Sequence, residues 1–154
     1  MSKTKKLKLT TRGRYAVTAM IELAKKQTKT PVSLVEIAQS GNISLSYLEQ
    51  LFAGLRKNGL VKSYRGPGGG YILAKTANEI FITEILDSAE DCVPAQRVAK
   101  DNGGDSFGNK QTRILWDHIG SILYISMKHI SLDDIINNRI ENHPVTDKIF
   151  KTLK

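Results

Sequence analysis

Two helix starts and two helix stops follow one another between Ser33 and Gly59, close enough that only a pair of short helices joined by a tight turn can satisfy them. Ser33-Leu34-Val35-Glu36 is a capping box, in which the serine hydroxyl and the glutamate carboxylate satisfy each other's free backbone N–H groups at a helix start. The helix it opens runs to about Gln39. Ser40-Gly41-Asn42 then supplies a residue tolerant of positive φ, and Ser44 is placed to cap a second helix. That helix carries Leu48, Leu51, Phe52 and Leu55 on one face and Ser46, Glu49, Gln50 and Ala53 on the other. Asn58-Gly59 ends it, with Leu60 placed for the accompanying apolar contact. Upstream, Ala16, Ala19, Met20 and Leu23 have the i, i+3, i+4, i+7 spacing of another helical face, capped by Thr10 or Thr11.

Val61 to Arg65 and Tyr71 to Ala74 read as short strands around Gly66-Pro67-Gly68-Gly69-Gly70. This glycine run lacks the Lys-Ser/Thr ending of a P-loop and joins strand to strand, so a hairpin wing is the better reading than a nucleotide site. Further on, a short helix is expected around Thr83 to Ala89, and Asp91 to Asn109 loses all periodicity, a long loop that needs a functional reason. A long helix follows from Lys110 to His129. Leu115, Ile119, Ile122, Leu123 and Ser126 form one stripe on it, widened by Trp116, Ile125 and Met127, an arc too broad for one small partner surface. Ser131 can cap a last short helix to about Asn138, and the remainder is expected to be mobile.

Charge is divided unevenly along the chain. Residues 1–75 hold 14 Lys/Arg against 3 Asp/Glu, a balance of +11, while residues 76–154 hold 9 against 12, a balance of -3. A basic head on a slightly acidic body is the electrostatic footprint of a polyanion binder. No apolar run approaches the roughly 18 residues of a membrane span, and the basic start is not followed by the apolar core of a secretory signal, so no membrane partner and a cytoplasmic location are expected. The lone Cys92 cannot form an internal disulfide. His118, His129 and His143 have no metal-ligand spacing, no metal site is expected, and no catalytic set of serine, histidine and acid stands out.

A helix-turn-helix places the N-terminal side chains of its second helix against base edges in the major groove. Ser44, Ser46, Glu49 and Gln50 are the candidates here. Gln can pair with adenine, Glu can accept from cytosine, and serine can bond phosphate or base. On the wing, Lys62 and Arg65 can meet phosphate or enter a minor groove, and Gly68 and Gly69 let the backbone approach closely. An ordinary three-helix core with a polar outer face and a merely flexible hairpin remain the alternatives.

Three stretches, Leu9 to Val17, Ile43 to Phe52 and Arg65 to Tyr71, closely resemble the Rrf2 family of transcription regulators, in particular its iron-sulfur-cluster-sensing branch. The similarity spans Leu9 to Asn138 and weakens after Glu90. It implies a mainly α fold with a small β-hairpin wing, a winged helix-turn-helix plus a long dimerisation helix. It further implies a non-enzymatic homodimer on a partly palindromic duplex DNA operator, a repressor-type regulator of iron-sulfur cluster biogenesis. Arg12 and Tyr47 lie in the resembling stretches and join the DNA-binding set, while Leu115, Trp116, Ile119, Ile122 and Leu123 form the dimerisation set.

The departure is at the cluster. The family pattern has three cysteines spaced six apart and a histidine three residues after the last, before a Leu-Trp pair. Counted back from Leu115-Trp116, those positions are Val98, Gly104, Lys110 and Arg113, so no cofactor is expected. The resulting organisation is 1–75 as a winged helix-turn-helix DNA-binding domain, 76–109 as a short helix and loop at a degenerate cluster site, 110–138 as dimerisation helix and short helix, and 139–154 as a mobile tail. The function implied is a cluster-free regulator acting like an apo form on iron-sulfur or related stress genes. A sibling sensing a metabolite or partner protein, and a nucleoid-type structural DNA binder, are the alternatives.

Overall fold

The computed structural model describes residues 10–27, 30–90 and 110–152. Helix α1 (Thr11–Lys26) starts where the Thr10 hydroxyl accepts the Gly13 N–H at 3.1 Å. Helix α2 (Leu34–Gly41) opens with the full Ser33–Glu36 capping box and closes on Asn42 at φ 50° and ψ 47°. The hydrogen bonds from Ser33 hold the Glu36 carboxyl below its ordinary pKa. Helix α3 (Leu45–Lys57) ends as its sequence demands, with Gly59 at φ 71° and the Leu60 N–H donating to Leu55 O at 2.9 Å. One expected detail differs. Ser44 occupies the N-cap position of α3 with extended backbone, but its side chain makes no capping bond.

Strands β1 (Val61–Tyr64) and β2 (Gly70–Leu73) pair antiparallel; β1 stops one residue before Arg65, and β2 keeps its expected length but starts and ends one residue earlier. Val32 adds an isolated antiparallel bridge to β2 through reciprocal bonds with Tyr71 of 2.8 and 2.9 Å, and Gln27 Oε1 accepts the Leu73 N–H at 2.6 Å. The wing is thereby fastened to both ends of the α1–α2 connection.

The core does not stop at Lys75. After a 3₁₀ turn (Ala77–Glu79), helix α4 (Ile82–Glu90) buries Ile82, Ile85, Leu86 and Ala89 in the same cluster as Met20, Leu23, Leu48, Phe52 and Leu55. Gly13 permits this approach, since a Cβ there would come within 2.6 Å of Leu86 Cδ2. Helix α5 (Lys110–Met127) then returns the chain so that Ser131 bridges Phe81, with the Ile82 and Leu132 N–H groups donating to Ile130 O and Ile80 O. Ser131 caps helix α6 (Leu132–Ile136) in another capping box, with Asp134. Burial pushes the Asp134 carboxyl up, but the hydrogen bonds from Ser131 and the Arg139 ion pair outweigh it and hold the group below its ordinary value.

The terminal segment differs from the expected tail. It carries helix α7 (Pro144–Thr152), with proline at the first helical position, where no N–H is needed, and Asp147 in the first turn. The Thr146 hydroxyl donates to Ile140 O at 2.5 Å, tying the helix start back to the body. No described helix is long and apolar enough to cross a membrane.

Candidate nucleic-acid interface

Leu48, Leu51, Phe52 and Leu55 of α3 are buried against α1, α2 and α4, and this fixes which residues α3 turns outward. Ser44, Ser46, Glu49, Gln50 and Ala53 are all exposed along the opposite side. The side chains of Ser44, Ser46, Glu49 and Gln50 make no hydrogen bond among the described residues, so their donors and acceptors are available to base edges or phosphate. Tyr47 is different. It is half-buried, and its ring meets Tyr15 of α1 edge to face at a centroid distance of 5.7 Å. This contact braces the first turn of α3 against α1.

The wing stands beside this surface. Phe52 of α3 and Tyr71 of β2 pack edge to face at 4.8 Å, and Arg56 in the last turn of α3 donates to Ser63 Oγ of β1 at 3.3 Å. Helix and wing therefore share contacts at two places. Arg56 was not among the expected site residues, because a cation in a last helical turn reads in sequence as a partner of the helix dipole. Lys62 and Arg65 are exposed.

The wing glycines have separate roles. Gly66 to Gly69 form a type II turn, with Pro67 and Gly68 central, Gly68 at φ 73°, and Gly69 N–H donating to Gly66 O at 2.9 Å. The space around Gly68 is open, as close backbone approach to a ligand requires, whereas a Cβ on Gly69 would lie 2.5 Å from Tyr64 O. Gly69 is thus needed by the turn itself. Gly70, which the sequence did not single out, is needed by the bridge to Val32, whose carbonyl oxygen lies 2.3 Å from where its Cβ would be.

Arg12 is the second residue of α1, half-buried, with Nη1 buried and lacking a partner among the described residues. It is not displayed with the α3 and wing residues as a freely exposed cation. The first residue before α1 is also tied far along the chain, because the Thr10 hydroxyl donates to Glu90 Oε1 at 2.5 Å.

On α5, Ile114, Leu115, Trp116, Ile119, Ile122 and Ile125 are exposed, Trp116 at 63% and Ile122 at 52%. Leu123 parts from the dimerisation set, since it packs with Tyr124 and Met127 against the core of its own chain. Among the described residues no group of three or more His, Cys, Asp or Glu is placed to hold a metal. Val98, Gly104 and Cys92 lie outside the described residues, and Lys110 and Arg113 fall in the first turn of α5.

The chain is similar in sequence and fold to known proteins. The Rrf2 model, an iron-dependent transcriptional regulator, matches residues 9–138. The HTH-type transcriptional regulator IscR of Pectobacterium carotovorum is 44% identical over 133 residues, covering 86% of this chain and 81% of its own. Among solved structures, IscR of T. potens superposes with a TM-score of 0.67 at 36% identity, covering 89% of this chain and 91% of its own. CymR, the global cysteine regulator of B. subtilis, gives 0.65 at 36% identity, covering 86% and 98%. With a helix-turn-helix, a wing and a family match that runs through both, this chain belongs to the Rrf2 family and is a DNA-binding transcriptional regulator of IscR type, not an enzyme.

Proposed function

We propose that the chain works as a cytoplasmic homodimer that reads a partly palindromic operator with α3 and its wing, holds no [2Fe-2S] cluster, and controls iron-sulfur or related stress genes. One observation carries the DNA-reading part: the exposed polar side of α3 presents Ser44, Ser46, Glu49 and Gln50 beside the exposed Lys62 and Arg65 of the wing. The exposed apolar face of α5 supports a second copy as its cover, since contiguous apolar surface of this kind marks an interaction site. A two-fold dimer would set two reading helices about one helical turn of DNA, or a multiple of it, apart.

The donor set argues against a cluster. Valine and glycine at 98 and 104 carry no side-chain donor, and lysine and arginine at 110 and 113 bring cations where iron requires thiolate or neutral imidazole. These residues do not fit the group. The similarity to the cysteine regulator CymR, nearly equal in TM-score to that to IscR, favours as second reading a sibling that senses a metabolite or partner protein on the same scaffold.

The test is anaerobic purification of the full chain, iron and sulfide assay, and footprinting of the same sample. Colourless protein with sharp, salt-sensitive footprints is expected. Contacts to six to ten phosphates would lose on the order of 10³ to 10⁵ in affinity between about 50 and 200 mM salt. Near-stoichiometric iron and sulfide, with footprints that change on their removal, would overturn the cluster-free reading. A footprint that responds to a small metabolite instead would select the second reading.

A further inference from the structure

We infer that Leu45 is a specificity-determining residue that reads the methyl group of a thymine in the operator. Leu45 is the first residue of α3 and is 40% exposed, whereas Leu48, Leu51 and Leu55 of the same helix are at most 1% exposed. It contributes nothing to the core cluster. Its neighbours in sequence, Ser44 and Ser46, are exposed, and Glu49 stands one turn later on the same side. It therefore lies inside the group of side chains already assigned to the DNA.

An exposed leucine alone is ordinary on a protein surface; the position of this one is what selects its partner. Long side chains on a helix lean toward its N-terminus, which in a helix-turn-helix is the end that enters the major groove. The serines, Glu49 and Gln50 can answer the hydrogen-bonding edges of bases there. Leu45 can answer none of them. The one apolar group that a base pair presents in the major groove is the thymine C5-methyl, so that methyl is the surface against which Leu45 can be buried. The contact would desolvate both apolar groups and distinguish thymine from cytosine next to the hydrogen bonds of Glu49.

This rests on the reading of α3 proposed above, and the experiment separates the two. The full chain selects an operator from a random duplex library, and each thymine of that operator is then replaced by deoxyuridine, which removes only the methyl. One thymine in each half-site should weaken binding about fourfold when demethylated, as expected for one buried methyl group. Leu45→Ala should weaken binding to the thymine operator by at least that factor and abolish the difference between thymine and deoxyuridine. Its melting temperature should hold, because the site is exposed and alanine is a strong helix former. Wild-type protein indifferent to every demethylation, or a Leu45→Ala variant that keeps the preference, would overturn the inference while leaving the α3 reading intact. A library that yields no enriched sequence would overturn both.

Discussion

Replacing Ile122 by aspartate tests whether α5 is covered by a second copy. The six exposed apolar side chains of α5 are Ile114, Leu115, Trp116, Ile119, Ile122 and Ile125. Burying a large apolar side chain completely is worth roughly 1.5 to 3 kcal/mol. With Ile122 at 52% exposure, about 1 kcal/mol per residue remains to be gained. Across a two-fold interface this sums to about 10 kcal/mol, set against an association cost of about 4 to 15 kcal/mol. Such a dimer has little to spare. Ile122→Asp removes the apolar gain and adds a carboxylate whose desolvation costs several kcal/mol, and two-fold symmetry applies both twice. The loss should be about 5 kcal/mol or more, a rise in dimer Kd of at least about 10³. Sedimentation equilibrium over a concentration series would show it, with operator affinity falling in parallel. The fold of the head should hold, since Ile122 is outside the core cluster. Unchanged dimer mass together with unchanged operator affinity would refute the reasoning.

Three further outcomes are expected. Arg65→Ala should weaken binding to all sequences alike and lower the salt slope by about 0.9 per lost phosphate contact in each subunit; a loss concentrated on A/T-rich flanks would instead place Arg65 in a minor groove. Gly70→Ala should push Val32 away from Tyr71 and lower the melting temperature by on the order of 5 to 10 °C, from about 2 to 4 kcal/mol of overpacking and lost hydrogen bonds; an unchanged melting curve would show that the Val32 bridge gives way freely. Because Asp134 is held below its ordinary pKa in the folded chain, its stabilisation is present at neutral pH and is lost as pH falls from its unfolded value through the lower folded one. Asp134→Asn should therefore be less stable near neutrality and lose less on acidification, and parallel stability profiles for the two proteins would refute this role.

Local chemistry made much of this fold legible. The Ser33–Glu36 box, the positive-φ Asn42 and the Gly59–Leu60 stop each satisfy backbone groups within a few residues, so the sequence alone places α2, α3 and the turn between them. What stayed hidden depends on distant partners. That α4 completes the core of the head follows from Gly13 meeting Leu86, and the division of α5 at Leu123 depends on where that helix lands on the body. Helix α7 was missed because Val145, Ile149 and Phe150 are too few apolar residues to establish a period. The site shows the same division. Exposure of Ser44, Ser46, Glu49 and Gln50 follows from the apolar stripe opposite them, whereas the Tyr15 brace on Tyr47 and the Arg56–Ser63 link join residues that no spacing rule connects.

The exposed side of α3 as the surface that reads sequence is tested most directly at Glu49. A carboxylate there is repelled by phosphate and favours binding chiefly where a cytosine N4 donates to it, so it should act as a filter against other bases. Wild type and Glu49→Ala would be titrated with the selected operator and its single-base variants over a salt series. The account predicts that Glu49→Ala loses discrimination at one base pair per half-site, worth roughly 1 to 3 kcal/mol, while its affinity for non-cognate DNA stays level or rises. A variant that weakens uniformly on every sequence, with base preference unchanged, would contradict the account.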